Sequence, residues 1–227
     1  MTTYKNPFAN RKYYDQHAEW IGNHLNTFYS DAQTSVFHEI STFDLHLDVY
    51  FIQPKNSTYN ILLTSGMSTL KMDTSKESEF AELMIIIPKE VEFDSVYTGE
   101  KKNDWIITML KRTARFPHYY DTWIEIGHTI QANEDFTPYS NETKYAGALI
   151  LPSVTFGKDF TEIHKNDRKI NIYTIFPLYK NEIEFKIENG YHKLLDLIIK
   201  ANNKEVLNLN RKNLIPKKSI WGKFLRK

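Results

Sequence analysis

The stretch Leu45 to Met72, LHLDVYFIQPKNSTYNILLTSGMSTLKM, constrains this chain more than any other. Leu45, Leu47, Val49 and Phe51 alternate with His46, Asp48 and Tyr50, the two-residue period of a half-buried strand. Gln53-Pro54-Lys55-Asn56-Ser57 then supplies turn chemistry, because proline presets φ and Asn and Ser bond the local backbone. A second apolar run, Tyr59 to Leu63, returns and ends at Thr64-Ser65-Gly66-Met67-Ser68. The pattern predicts a hairpin at the centre of a sheet, closed by a glycine turn. It offers no nucleophile paired with a base. The G-x-S-x-G elbow and both glycine-rich phosphate motifs are absent from the sequence.

The remaining chain supplies elements to cover that hairpin. Residues 10–29 predict an amphipathic helix, with Tyr14, Ala18, Ile21, Leu25 and Phe28 on one face and Asn10 as its cap. Val36 to Ile40 predicts a short strand. Lys71 to Glu79 is polar and predicts an exposed loop. Phe80 to Ile87 is almost continuously apolar, as in a strand covered on both faces, and Pro88 ends it. Trp105 to Ala114 predicts a helix that stops at Pro117, with Trp105, Met109 and Thr113 on one stripe and Arg112 and Arg115 in its last turn. Thr122 to Ile130 predicts a strand interrupted at Gly127. Asn133 to Tyr145 and Phe156 to Lys169 predict two long loops, with a strand at Ala148–Leu151 between them. Ile170 to Phe176 predicts the last strand. Ile183 and Ile187, then Leu194, Leu195 and Ile198, predict two helices separated by Gly190. About six strands and four helices without regular βαβ alternation place the chain in the α+β class, as one domain with a mixed, mostly antiparallel sheet flanked by helices.

Composition sets the limits on function. The 227 residues are 41% hydrophobic, enough for a sizeable core. Cysteine is absent, which excludes disulfides, a thiolate nucleophile and a zinc–thiolate site and fits a reducing cytoplasm. The N-terminus has no apolar signal-like core, and no run approaches a membrane span. The net charge of +1 conceals an asymmetry. From Lys200 to Lys227 there are nine Lys or Arg and one Glu, a charge of +8, and the remaining 20 basic and 27 acidic residues give −7. Such an acidic body repels phosphate, so nucleic acid is not an expected partner. The carboxylates gather in three clusters: Glu77, Glu79 and Glu82; Glu90, Glu92 and Asp94; Glu182, Glu184 and Glu188. Residues 202–213 read as a linker. The end of the chain, from Lys217 to Lys227, is basic with interleaved Ile220, Trp221, Phe224 and Leu225, a pattern suited to weak membrane contact or to packing on an acidic surface.

Two places invite a chemical reading. His46 and Asp48 fall on one face of a strand and could share an ion, with His128 or His118 as a third ligand, but their spacing matches no established metal motif. A hydrogen-bonded His–Asp pair is the expectation, with no metal. The segment from Arg115 to His128 concentrates titratable and aromatic groups and is the alternative, enzymatic reading. The leading expectation has no catalytic residue and no cofactor.

Five ordered blocks carry a resemblance. H-x-D-V-Y-F-I with L-x-T-S-G-M-S opens the series. Ala81 to Pro88, Trp105 to Pro117, Asp121 to Thr129, and Ile170 to Gly190 come after it in order. Together these resemble the suppressor-of-fused family over roughly residues 40–200. The resemblance implies residues 36–201 as an α+β domain like the N-terminal half of the eukaryotic member, preceded by a helical segment (1–35) and followed by the basic tail (202–227). It implies a binding protein, not an enzyme. In the eukaryotic member the segment after the glycine motif lies beside the bound partner peptide, and the position of its partner-contacting aromatic is Lys71 here. Lys71, Asp73, Glu77, Glu79 and Glu82 are therefore the expected partner-binding residues. A stand-alone domain of this size looks like the bacterial branch, many of whose members look like cytoplasmic immunity proteins encoded beside polymorphic toxins, often nucleases. The resemblance thus implies a protein partner, a toxin first; a general adaptor without a toxin is the alternative.

Overall fold

The computed structural model describes residues 11–39, 45–74, 78–94 and 98–215. The elements run α1 (Arg11–Tyr29), β1 (Gln33–Phe37), β2 (Asp48–Gln53), β3 (Tyr59–Ser65), a 3-10 turn (Met67–Thr69), β4 (Phe80–Pro88) and α2 (Asp104–Tyr119). They continue with β5 (Thr129–Gln131), β6 (Tyr145–Leu151), α3 (Lys158–Thr161), β7 (Glu162–Lys165), β8 (Arg168–Tyr179), α4 (Lys180–Asn189) and α5 (Tyr191–Lys200). The strands form one sheet in the order β1-β2-β3-β4-β8-β6-β5, with β7 also paired to β8. Only β4 and β8 run parallel; the other pairs are antiparallel. The fold is α+β, as the patterning requires. No helix among the described residues is long and apolar enough to cross a membrane.

Strand alternation assigns the two faces. Leu62 of β3, Leu83, Ile85 and Ile87 of β4 and Ile175 of β8 point to one side, where Trp105, Ile106, Met109 and Leu110 of α2 cover them. Ile61 and Leu63, Met84, Ile170 and Ile172 point to the other, beneath Ile21 and Leu25 of α1 and Phe160 of α3. Further along that second face, Leu149, Phe176 and Leu178 pack on Ile183 of α4 and Leu194 and Ile198 of α5. Helices on both faces explain why β4 carries no polar alternation from Leu83 to Ile87. On α1 the buried ridge is His17, Ile21 and Leu25, while Phe28 is exposed. The expected cap Asn10 and strand end Ile40 lie outside the described residues.

Several elements depart from the sequence expectation. α2 passes through Pro117 and ends two residues later, because the Tyr120 N–H bonds the Phe116 carbonyl and the Thr122 N–H bonds that of Pro117. β8 likewise continues through Pro177 to Tyr179, held by its antiparallel ladder with β6. The expected Thr122–Ile130 strand shrinks to β5. Gly127, at φ +90°, turns the chain against the Tyr191 ring and leaves only three residues to pair. The second long loop contains α3 and a hairpin, β7–β8, whose two-residue turn is Asn166-Asp167 with Asn166 at φ 52°. Ile187 points away from the core that Ile183 enters.

The largest correction concerns residues 202–213, which are not a linker. The Leu207 N–H bonds the Ile86 carbonyl of β4, and the Leu207 side chain enters the main core. Tyr145 Oη donates to the Asn208 carbonyl at 2.5 Å. Glu205 accepts from Thr174 Oγ1 and from the Val154 and Thr155 amides. Arg211, 6% exposed, meets both carboxylate oxygens of the fully buried Glu182 and donates to the Pro177 carbonyl. The strap is therefore pinned along its length. Removing one partner of such a buried pair leaves an uncompensated charge, at about 3–5 kcal/mol. Arg211→Ala is expected to lower the urea unfolding free energy by that amount. A loss below about 1 kcal/mol would return the segment to a passive linker.

Candidate functional site: the glycine turn and the exit of helix α2

The glycine turn is built by the hairpin the sequence announced. Gly66 follows β3 at φ 128°, and a Cβ there would stand 2.2 Å from the His46 carbonyl oxygen, so no side chain fits. The turn closes on Glu82 of β4, whose carboxylate has no exposure. Glu82 Oε1 accepts from the Gly66 N–H at 3.0 Å, the Ser68 N–H at 3.0 Å and Ser68 Oγ at 2.7 Å; Oε2 accepts from Thr64 Oγ1 at 2.6 Å. Burial raises its pKa, and these four donors work against that rise.

Two histidines brace the turn from opposite sides. His17 of α1 is fully buried; its Nε2 accepts from Arg168 of β8 at 3.0 Å, which leaves Nδ1–H to face Ser68 Oγ at 3.5 Å. His118 of α2 donates from Nε2 to the Met67 carbonyl at 3.0 Å. Burial lowers both pKa values to about 4, so both rings are neutral near pH 7. α1, α2 and β4 thus meet at five consecutive residues, Thr64 to Ser68, and β8 joins them through Arg168 on His17.

The loop after the turn is partly pinned. The buried Met72 donates its N–H to the Glu79 carbonyl at 2.8 Å, and the Asp73 N–H bonds the Thr122 carbonyl at 3.1 Å. Lys71 Nζ lies 2.6 Å from Glu79 Oε1. The Asp73 bond brings the loop beside the exit of α2, where Tyr119 and Tyr120 are exposed. Of the expected partner-binding residues, Lys71 and Asp73 are exposed at this end and Glu79 is half-buried. Glu77 lies outside the described residues. Glu82 is corrected: it is a strut inside the fold and presents nothing to a partner. Glu182, from the third acidic cluster, is buried in the same way, whereas Glu90, Glu92, Asp94, Glu184 and Glu188 are exposed. Tyr119 and Tyr120 are absent from the sequence expectation, since a Tyr-Tyr pair after a proline gives no sign of its orientation.

The groups of the enzymatic and metal readings are dispersed. Asp48 bridges His38 Nδ1 at 2.8 Å and His46 Nε2 at 3.1 Å, and also accepts the Glu39 N–H. Glu39 in turn pairs with Arg115 and stands 3.8 Å from Lys111 Nζ, joining the hairpin to α2. His128 is elsewhere, 3.8 Å from Glu125 and against the Trp123 ring. Arg115, His118 and His128 therefore point to three different places. Among the described residues no group of three or more His, Cys, Asp or Glu side chains is arranged to hold a metal ion.

This geometry defines the class, an α+β domain whose mixed sheet is braced at a glycine turn. The family described as Suppressor of fused protein (SUFU) matches residues 44–212, and the chain belongs to it. The match runs to the end of the strap. No curated protein sequence matches. Among solved structures, a suppressor-of-fused homologue from Neisseria gonorrhoeae superposes with a TM-score of 0.67 at 15% identity, covering 90% of this chain and all of that one. The Sufu–Fu complex gives 0.60 at 12% identity, covering 87% of this chain and 92% of that chain. Drosophila Suppressor of Fused gives 0.59 at 13% identity over 87% of this chain, which spans 51% of that chain's length.

The brace carries a pH signature. His17 and His118 have folded pKa values depressed from 6.5 to about 4, so the stability linked to them is complete above pH 6.5 and is lost as pH falls toward 4. Glu82, raised, acts with the opposite sign and favours the acid side. Comparing wild type with His17→Gln cancels the Glu82 contribution. Urea unfolding at pH 7, 5.5 and 4.5 is expected to fall more steeply for wild type. Parallel pH profiles would contradict a buried neutral His17.

Proposed function

We propose that this protein is a non-enzymatic protein-binding domain, and more narrowly a bacterial cytoplasmic immunity protein that neutralises a cognate toxin by direct contact. One observation carries the reading. The glycine turn is fixed by Glu82, His17 and His118, while Lys71 and Asp73 of the loop that follows it and Tyr119 and Tyr120 at the exit of α2 face solvent. A rigid base beneath exposed polar and aromatic groups suits recognition, because little ordering is left to be done on binding. Family membership supports a protein-interaction role, and the solved Sufu–Fu complex is a relative bound to a protein partner. The dispersal of Arg115, His118 and His128 supports a binding role over acid–base chemistry.

A nuclease toxin is the favoured target. Such an enzyme carries a basic groove for phosphate, and carboxylates presented there would block it. The exposed Asp73, Glu90, Glu92, Asp94, Glu184 and Glu188, with the half-buried Glu79, supply that chemistry. Complementary charge acts mainly on association rate and is screened over about 8 Å at physiological ionic strength. The test is the association rate with the toxin encoded beside this gene, at low and high salt. Asp73→Lys is expected to slow association about threefold at low salt and much less at high salt, with unfolding unchanged. Rates indifferent to salt, to this reversal and to reversal of the other two exposed clusters would remove the acidic mechanism. Failure to bind or inhibit the toxin at all would remove immunity itself.

A further inference from the structure

Tyr119 and Tyr120 are 79% and 61% exposed, an unusual cost for two large rings side by side. They are not loose. Their rings stand edge to face at 77° with centroids 5.0 Å apart, and Tyr120 rests on Phe116 at 4.9 Å. Phe116 packs against the main core, so the pair is anchored from within. Ordered aromatic faces held out into water are the residues that dominate protein interfaces, since they contribute area with little entropy left to lose.

The surroundings specify the sign of the guest. The pair sits at the C-terminus of the sixteen-residue α2, the negative end of the helix dipole. Asp121 comes directly after it and is exposed, and the exposed Asp73 is tied to the neighbouring Thr122 carbonyl. Lys71, the nearby cation on the loop, is already matched by Glu79 at 2.6 Å, and the His118 ring is turned to the Met67 carbonyl. Ring faces attract cations through their quadrupole when the charge lies within about 6 Å of the centroid. A planar guanidinium can stack on one ring while its edge reaches a carboxylate, which an ammonium cannot do.

We infer that Tyr119 and Tyr120 form a cation-capturing hot spot that receives an arginine side chain presented by a protein partner. This rests on the reading that this end of the domain meets a protein, and it names what that protein brings. The exposed rings hold the guanidinium, and Asp73 and Asp121 balance its charge.

The test uses the full chain and an identified probe, the blocked peptide acetyl-Gly-Arg-Gly-Arg-Gly-amide, titrated at low salt while the tyrosine ring resonances are followed by NMR. Saturable shifts at Tyr119 and Tyr120 are expected. The same peptide with citrulline, isosteric but uncharged, should bind at least tenfold more weakly, and the lysine peptide should fall between. Tyr119→Leu with Tyr120→Leu should abolish the shifts of the remaining nearby resonances, and Tyr119→Phe with Tyr120→Phe should bind within about twofold of wild type. Both pairs are exposed, and unchanged urea unfolding confirms that they fold. Equal binding of arginine and citrulline peptides, unimpaired binding by the double leucine variant, or no saturable shift would each overturn the inference. These outcomes are separable from the immunity reading. If the toxin binds the double leucine variant as it binds wild type, only the hot spot falls; if the peptide binds and the toxin does not, only immunity falls.

Discussion

A carboxylate with no exposure, set in a strand that is otherwise apolar and covered on both sides, is the constraint on which this structure depends. An isolated ionised group there would be prohibitively costly, so Glu82 exists in the fold only with its donors in place. Those donors are the Thr64 hydroxyl at the end of β3, the Gly66 and Ser68 amides and the Ser68 hydroxyl. Satisfying Glu82 therefore dictates the path of the chain between Thr64 and Ser68. Gly66 is required because that path brings its α-carbon against the His46 carbonyl. Ser68 then passes the constraint to His17 and Arg168, so one carboxylate ties four elements together.

The same device recurs. Glu39 and Asp48 fasten the hairpin to α2 through Arg115 and to the flanking histidines, and Glu182 fastens the strap through Arg211 while accepting the Tyr179 amide at the start of α4 and the Leu214 amide beyond the strap. Part of the acidity that a charge count assigns to the body is thus structural. The acidic surface is therefore smaller than the −7 suggests, and Asp73, Glu90, Glu92, Asp94, Glu184 and Glu188 are among the carboxylates that stay exposed.

Where apolar periodicity is strong, the fold is legible. Val49 to Leu63 announces the hairpin, and Leu83 to Ile87 announces a strand covered twice, because burial is written in those residues directly. The strap is illegible for the opposite reason. Leu207 is its single core residue, and the hydrogen bonds and ion pairs that pin Glu205, Asn208 and Arg211 reach residues 29 or more positions away. β7 contributes one buried residue, Ile163, too few to show a period. Pro117 and Pro177 mislead because their local cost is outweighed by neighbouring bonds. In the site, Lys71 and Asp73 are readable as surface from the polarity of their loop. Glu82 carries a signal of its own: a lone carboxylate before Leu-Met-Ile-Ile-Ile has to be satisfied inside. Tyr119 and Tyr120 depend on helix phase and on the path of the chain beyond the helix, which their own letters do not carry.

Glu82, and not the hairpin alone, holds the glycine turn. Amide hydrogen exchange reads this at single residues. In the wild-type protein the Gly66 and Ser68 amides should exchange as slowly as those of β3 and β4, opening only with the whole fold. In Glu82→Leu they should exchange orders of magnitude faster than the surviving strand amides. Fast exchange of Gly66 and Ser68 in the wild type, or equal protection in the variant, would mean that Glu82 does not hold the turn.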